Sequence, residues 1–179
     1  MADTHPIGIG RSLEGISAAQ RGVYEAIMAG PRGSVPSPFL AMLDVPELAD
    51  TIQKVGEQIR FAGCLDGADR ELAILATAAT VGCGYEWHYH APIAQKAGLE
   101  LEAIDATRGG IKPGSEGARW AVLIRFCESV VRDRNVSDTQ LAGIVALVGR
   151  EGASELIAIC GYYALLASFI MIGKHDLAL

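Results

Sequence analysis

The sequence predicts an all-α fold, organised as a single-domain bundle of about eight helices. Apolar residues recur at intervals of three and four in several segments, as amphipathic helices require. Capping residues come before these segments, and glycine or proline follows them. No stretch alternates between apolar and polar residues over the length of a strand, and no internal repeat is apparent.

The size and composition of the chain fit one folded domain. It has 179 residues, of which 50% are hydrophobic and 20% are charged. This is enough apolar material for a buried core, and it excludes a mainly disordered chain. We expect residues 1–12 to form a flexible N-terminal arm and residues 13–179 to form the helical domain.

The first half of the chain contains four predicted helices. They cover Ser17–Ala29, Val45–Ala62, Arg70–Val81 and Tyr85–Ala97. Ser17 and Gln20 have the spacing of a capping box, and Pro46 suits the first turn of a helix. Asp66 or Asp69 can cap the third helix. Residues 30–38 contain three prolines and two glycines, so we expect a loop there.

The second half contains four more predicted helices. They cover Leu99–Thr107, Ser115–Asp133, Ser137–Val148 and the apolar segment that begins at Glu155. The run from Leu156 to Gly173 has 18 residues without a charge, which is the lower limit for a membrane-spanning helix. It lacks a flanking basic cluster and contains two tyrosines. We therefore predict a helix buried in a core or a subunit interface, and no membrane association.

Charge and cysteine content indicate the class of partner and the compartment. The formal net charge is -6, so the field of the whole protein repels phosphate backbones and nucleic acid is not an expected partner. Four scattered cysteines without a C-x-x-C pair, and no signal-peptide core near the N-terminus, indicate the cytoplasm. Three of them, Cys64, Cys127 and Cys160, are predicted to be inert packing residues.

The segment from Cys83 to His90 contains the densest group of functional side chains. On a helix, Cys83, Glu86 and His90 share one face. Glu86 and His90 lie one turn apart, so the carboxylate can orient the imidazole and raise its basicity. His88 points roughly the other way. Because His88 and His90 diverge on a helix, the sequence does not predict a metal site.

Two further residues could take part in chemistry. A thiol at the start of a helix and near an imidazole can act as a nucleophile, which makes Cys83 a candidate. Glu71 enters an otherwise apolar helix, where a carboxyl group suits proton transfer. Alternatively, Glu71 pairs with an arginine such as Arg60, Arg70 or Arg108.

Several motifs together resemble the carboxymuconolactone decarboxylase family, which includes the alkyl hydroperoxidase D-like proteins. They are Arg70-Glu71-Leu-Ala-Ile-Leu, Tyr85-Glu86-Trp87 with His90, and the segment from Pro92 to Leu99. The segments 20–24 and 30–36 and the stretch that begins at Glu155 are similar to the decarboxylase-like branch. The resemblance covers roughly Leu13 to Lys174.

This resemblance implies an all-α fold whose subunits form trimers or hexamers, which would bury the uncharged last helix. The hydroperoxidase branch has a glutamate, a C-x-x-C pair and a histidine, and Glu71, Cys83 and His90 occupy matching positions. The second cysteine position holds Glu86. The disulfide that carries electrons in that branch therefore cannot form here, which weakens the prediction of peroxidase activity.

The resemblance favours an enzyme that needs no cofactor and acts on a small carboxylated lactone or ring acid. In this hypothesis His90 is the acid or base, Glu86 orients it and Glu71 tunes the pocket. The expected substrate-binding residues are Arg70, Tyr85, Trp87 and His88, with Arg60 or Arg108 as alternatives to Arg70. Two other functions stay open: a thiol-dependent alkyl hydroperoxide reductase that uses Cys83, and a helical oligomer that binds a small molecule without chemistry.

Overall fold

A computed structural model describes residues 5–10 and 12–175 of the chain. In these residues all regular structure is helical, which confirms the predicted all-α fold. The eight helices are α1 (Ala18–Ala29), α2 (Ser37–Met42), α3 (Pro46–Phe61), α4 (Gly67–Val81), α5 (Gly84–Lys96), α6 (Leu101–Gly109), α7 (Arg119–Asp133) and α8 (Asp138–Gly173).

Several helices begin and end where local chemistry predicts. The Ser17 hydroxyl accepts from the Gln20 backbone N–H at 3.2 Å, and the Gln20 side chain accepts from the Ser17 N–H at 2.8 Å. Asp66, rather than Asp69, caps α4. Gly82 ends α4 with φ of 76°, a left-handed conformation that glycine adopts without strain.

The loop predicted over residues 30–38 ends earlier than expected, because α2 begins at Ser37. Pro38 lies in the first turn of α2, where a missing backbone N–H removes no helical hydrogen bond. All six residues of α2 are buried. The prolines therefore predicted the loop correctly, but the predicted end of the loop was two residues too late.

Two boundaries in the second half also differ from the prediction. Helix α7 begins at Arg119, not at Ser115. The two helices predicted from Ser137 and Glu155 are both present within α8, where Gly149, with φ of 75° and ψ of 174°, forms a kink between them, and the second begins earlier than Glu155. Gly149 lies directly after the predicted end at Val148. The second part of α8 begins directly after Gly149, without an intervening loop.

The helices fall into two compact units that share α8. The first unit contains α1 to α3 and the end of α8. Residues 5–10 of the predicted N-terminal arm make hydrogen bonds within this unit. The Gly8 N–H donates to Asp44 at 2.7 Å, and the Ile9 N–H donates to the Leu40 carbonyl at 3.0 Å. The described part of the arm is thus held by hydrogen bonds, whereas residues 1–4 and 11 lie outside the described residues.

The second unit runs from Gly63 to Leu165 and is built around α4. This helix packs against α5, α6 and α7. Its residues from Glu71 to Ala78 are all buried, because three helices pack against it. The burial of its middle section explains why the α4 sequence has almost no polar face.

Helix α8 is long and apolar enough, by length and composition alone, to cross a membrane. Its most apolar window of 18 residues has a mean hydropathy of 2.1, and half of that window is buried inside the fold. Core helices of globular proteins show the same pattern. The other half includes exposed apolar side chains such as Ile157 and Leu165.

Candidate functional site

A histidine between two carboxylates lies at the packing contact of α4 and α5. Helix α4 supplies Glu71, and α5 supplies Glu86 and His90. His90 Nδ1 is 2.6 Å from Glu71 Oε2, and His90 Nε2 is 3.5 Å from Glu86 Oε2. Each of the three residues is only 2% exposed. The structure therefore brings three of the four predicted catalytic residues into one buried cluster.

A tight helix connection produces this arrangement. Gly82 closes α4, and Cys83 is the N-cap residue of α5, so almost no loop separates the two helices. Helix α5 then packs along α4. Glu86 and His90 lie one turn apart on α5, while Glu71 reaches His90 from the neighbouring helix. The connection thus places one carboxylate at each nitrogen of the imidazole.

The geometry constrains where the protons of the cluster lie. An ionised carboxylate can only accept a hydrogen bond, so an ionised Glu71 requires the proton on His90 Nδ1. This short bond fixes the orientation of the ring. Nε2 is then the nitrogen at which a proton can be gained or lost. The 3.5 Å distance to Glu86 is too long for a good hydrogen bond but close enough for charge stabilisation.

The structure indicates different roles for the two glutamates from those that the sequence indicated. The contact of Glu71 with His90 is the shorter one, so Glu71 orients the ring more directly than Glu86 does. The alternative pairing of Glu71 with an arginine does not occur among the described residues. The neighbouring Arg70 instead donates to the Leu65 carbonyl at 3.3 Å.

Aromatic side chains surround the imidazole. Tyr163 on α8 meets the His90 ring edge to face, with centroids 5.2 Å apart and an interplanar angle of 89°. Tyr89 also meets His90 at 5.2 Å. Sequence reasoning missed Tyr163. The two adjacent tyrosines in the apolar second part of α8 are the signal that could have pointed to it.

The predicted substrate-binding residues lie in different environments. Tyr85 is buried and stacks with Tyr89 at a centroid distance of 6.1 Å. The Trp87 indole N–H donates to Thr107 at 2.8 Å. His88 is exposed, and its Nδ1 lies 2.7 Å from the Gly84 carbonyl of its own helix. His88 thus points away from the buried cluster, as the helical spacing predicted.

The four cysteines also differ in environment. Cys83 is buried and lines a cavity of about 330 Å³ at the start of α5. Cys127 and Cys160 are buried, as expected for packing residues. The same prediction is wrong for Cys64, which is exposed in the loop before α4. Its thiol donates to Glu155 Oε2 at 3.0 Å, and the same oxygen accepts its backbone N–H at 2.8 Å.

Glu155 is expected to suppress the reactivity of Cys64. The hydrogen bond to this carboxylate raises the pKa of the Cys64 thiol above its ordinary value, because a thiolate beside it would be repelled. Glu155→Gln should therefore increase alkylation of Cys64 by iodoacetamide at pH 8 by roughly three- to tenfold. Mass spectrometry of the Cys64 peptide measures the rate.

Glu151→Gln is the matched control, because Glu151 makes only a minor contribution to the raised pKa of Cys64. We expect this variant to change the alkylation rate much less than Glu155→Gln does. Equal rates for the two variants would contradict the assignment of the effect to Glu155.

Within the described residues, no three histidine, cysteine, aspartate or glutamate side chains are arranged to hold a metal ion. The buried cluster of Glu71, Glu86 and His90 has the composition that proton transfer requires, since it combines a titratable ring with two groups that stabilise its charged form. Fold and site together define a helical protein with a buried acid–base centre.

Comparison with known sequences finds one family model that matches part of the chain. Residues 46–129 match the sequence model of the Carboxymuconolactone decarboxylase family. This segment contains Glu71, Cys83, Glu86 and His90, so the candidate site lies inside the part of the chain that is similar to that family. No individual curated protein matches the chain.

Proposed function

We propose that the protein is a cofactor-independent decarboxylase that acts on a small carboxylated lactone or ring acid by general acid–base catalysis. The observation that carries the proposal is the buried placement of His90 between Glu71 and Glu86. The match to the model of this family supports an enzymatic role, and the geometry supports proton transfer as its chemistry.

The reaction requires one proton at a defined position. Loss of carbon dioxide breaks the bond between the carboxyl carbon and the adjacent substrate carbon. The electron pair stays on that carbon and delocalises into a neighbouring carbonyl group or double bond. His90 then delivers a proton from Nε2 to the carbon, while Glu71 holds the ring through Nδ1. The product gains one hydrogen and the enzyme recovers its proton from water.

The two carboxylates stabilise the protonated imidazole in this mechanism. A buried imidazolium is unfavourable without compensation, and Glu71 and Glu86 place negative charge near both nitrogens. The same charges oppose the close approach of an anionic substrate. A cationic group is therefore needed to bind the substrate carboxylate, and Arg70 supports this role because its buried Nε has no hydrogen-bond partner among the described residues.

A paired assay tests the proposal. Release of carbon dioxide from carboxymuconolactone and dithiol-dependent consumption of an alkyl hydroperoxide are measured on one preparation, with Cys83→Ser beside the wild type. We expect decarboxylation, retained within about threefold in Cys83→Ser, because the acid–base mechanism does not use the thiol. Absence of decarboxylation over a panel of carboxylated lactones and ring acids would reject the proposal.

The second candidate function is a thiol-dependent hydroperoxide reductase. The specific observation in its favour is that Cys83 lines a cavity together with Arg108 and Arg132. The second cysteine position is Glu86, so an external thiol would have to resolve a sulfenate formed on Cys83. Peroxide consumption abolished by Cys83→Ser would establish this function.

We also propose that the subunits assemble through the exposed apolar face of α8. Ile157, Gly161 and Leu165 follow at intervals of four residues, and Ile157 and Leu165 are 46% and 39% exposed. A groove of about 400 Å³, lined partly by Val130 and Val136, lies beside Ile157 and Gly161. The resemblance to an oligomeric family favours a second copy of the chain as the partner that covers this face.

Introducing charge on this face is expected to break the oligomer. Ile157→Glu with Leu165→Glu places two carboxylates in the proposed interface, so the mass in solution should fall from that of a trimer or hexamer toward that of a monomer. Light scattering during size-exclusion chromatography measures this mass. Thr139→Glu, at an exposed position near the start of α8, is the control and should leave it unchanged. An unaltered mass in the double variant would contradict this interface.

A further inference from the structure

The polar cavity that Cys83 lines lies at the start of α5, apart from the cluster around His90. Its volume is about 330 Å³, which is within the usual range for small-molecule sites. The lining residues that bear on its chemistry are Cys83, Gly84, Trp87, Arg108, Glu128 and Arg132. None of Glu71, Glu86 and His90 is among the lining residues.

Two arginines make this cavity attractive to anions. Arg108 comes from the end of α6 and Arg132 from the last turn of α7. Neither forms an ion pair with a described residue, although a guanidinium binds a carboxylate well through two parallel hydrogen bonds. Two such groups on different helices suit a ligand with two carboxylates better than a ligand with one.

A ring contact and two hydrogen bonds position Arg108. The Arg108 guanidinium lies over the Trp87 ring, 4.7 Å from its centroid. Hydrogen bonds hold the indole in turn: Trp87 donates to Thr107 at 2.8 Å, and Thr107 donates to the Ile104 carbonyl at 2.7 Å. A stacked guanidinium keeps its N–H groups in its own plane, where they can donate to a ligand.

Two other charged features near the cavity also affect the binding of an anion. The N-terminus of α5 has no side-chain cap and adds positive potential beside Cys83 and Gly84. Glu128 faces the same cavity and subtracts from this potential. Glu128 therefore repels an anion in the cavity. Removing its charge should strengthen binding in the cavity but not binding elsewhere on the surface.

We propose that this cavity binds a small organic dicarboxylate, with one carboxylate on Arg108 and the other on Arg132. The inference goes beyond the proposed function, because it adds a ligand site separate from the acid–base centre. Cys83 and His90 lie seven residues apart along the sequence, which corresponds to about 10 Å on a helix. A ligand held by the two arginines thus lies near the start of α5, whereas His90 lies in the middle of that helix.

Calorimetric titration with succinate, butyrate and inorganic phosphate tests the proposal. Butyrate matches succinate in chain length but has one carboxylate. We expect succinate to bind at least about tenfold more tightly than butyrate, because only succinate can engage both guanidinium groups. Trp87 fluorescence provides a second readout in a Trp120→Phe background, which leaves Trp87 as the only tryptophan.

Matched variants locate the binding. Arg108→Ala and Arg132→Ala should each weaken succinate binding about tenfold and bring it close to that of butyrate. Arg150→Ala removes an exposed arginine outside the cavity and should have no effect. Glu128→Gln should tighten succinate binding, because it removes the repulsive charge. Circular dichroism confirms that each variant is folded.

Three outcomes would overturn the proposal: no saturable binding of succinate, phosphate binding more tightly than succinate, or an equal loss of affinity in Arg150→Ala. His90→Gln separates this site from the proposed function, since it should leave succinate affinity within about twofold of the wild type. Loss of succinate binding in His90→Gln would contradict a separate site. Failure of decarboxylation alone would leave the dicarboxylate site intact.

Discussion

Replacing His90 with glutamine is expected to lower the rate of decarboxylation by about 10²- to 10⁴-fold, the usual contribution of a positioned acid or base. Glutamine is close to histidine in size and keeps polar atoms near Glu71 and Glu86, but it cannot carry a proton to the substrate. The loss should therefore appear in kcat, with a smaller effect on KM. Steady-state kinetics of carbon dioxide release measures both constants.

The chain offers a matched control on the same helix. His88 is exposed and lies two residues before His90, so His88→Gln makes the same chemical change outside the buried cluster. We expect this variant to retain kcat within about threefold. Comparable losses in His88→Gln and His90→Gln would show that His90 has no special part in proton transfer.

The second large effect concerns stability. His90→Leu removes the group that compensates two buried carboxylates while keeping an apolar side chain of similar size. Because Glu71 and Glu86 are each only 2% exposed, the free energy of unfolding should fall by about 3 to 5 kcal/mol. Denaturation in urea, followed by circular dichroism, measures the change.

A triple variant separates stability from function. Glu71→Met and Glu86→Met, combined with His90→Leu, replace the whole cluster with apolar side chains of similar volume. This exchange should restore most of the lost stability, because no uncompensated charge stays buried, while activity stays absent. A triple variant as unstable as His90→Leu alone would show that the carboxylates do not cause the destabilisation.

The sequence predicted the helices well where their signals are local. The Ser17 and Gln20 capping box, the Asp66 cap and the glycine at position 82 depend on neighbours within a few residues, and each occurs as expected. Helix α2 was not predicted, because two prolines beside a buried six-residue segment resemble a loop. Its formation is favoured by burial against α3, which no local pattern reveals.

The cluster around His90 was only partly predictable. The interval between Glu86 and His90 on one helix predicted their proximity. The shorter contact, from Glu71, joins residues 19 positions apart and depends on how α5 packs along α4. Tyr163 comes from still farther along the chain, and its contact with the imidazole depends on the packing of α8.

The sequence by itself determined the helical class, most helix boundaries and the residue types available for chemistry, because capping, periodicity and side-chain chemistry act over one or two turns. Only the tertiary structure decided which carboxylate orients His90, that Cys64 is exposed, and that Arg108 and Arg132 line one cavity. These features join residues from different helices, and the helix packing that brings them together has no signal in the local sequence.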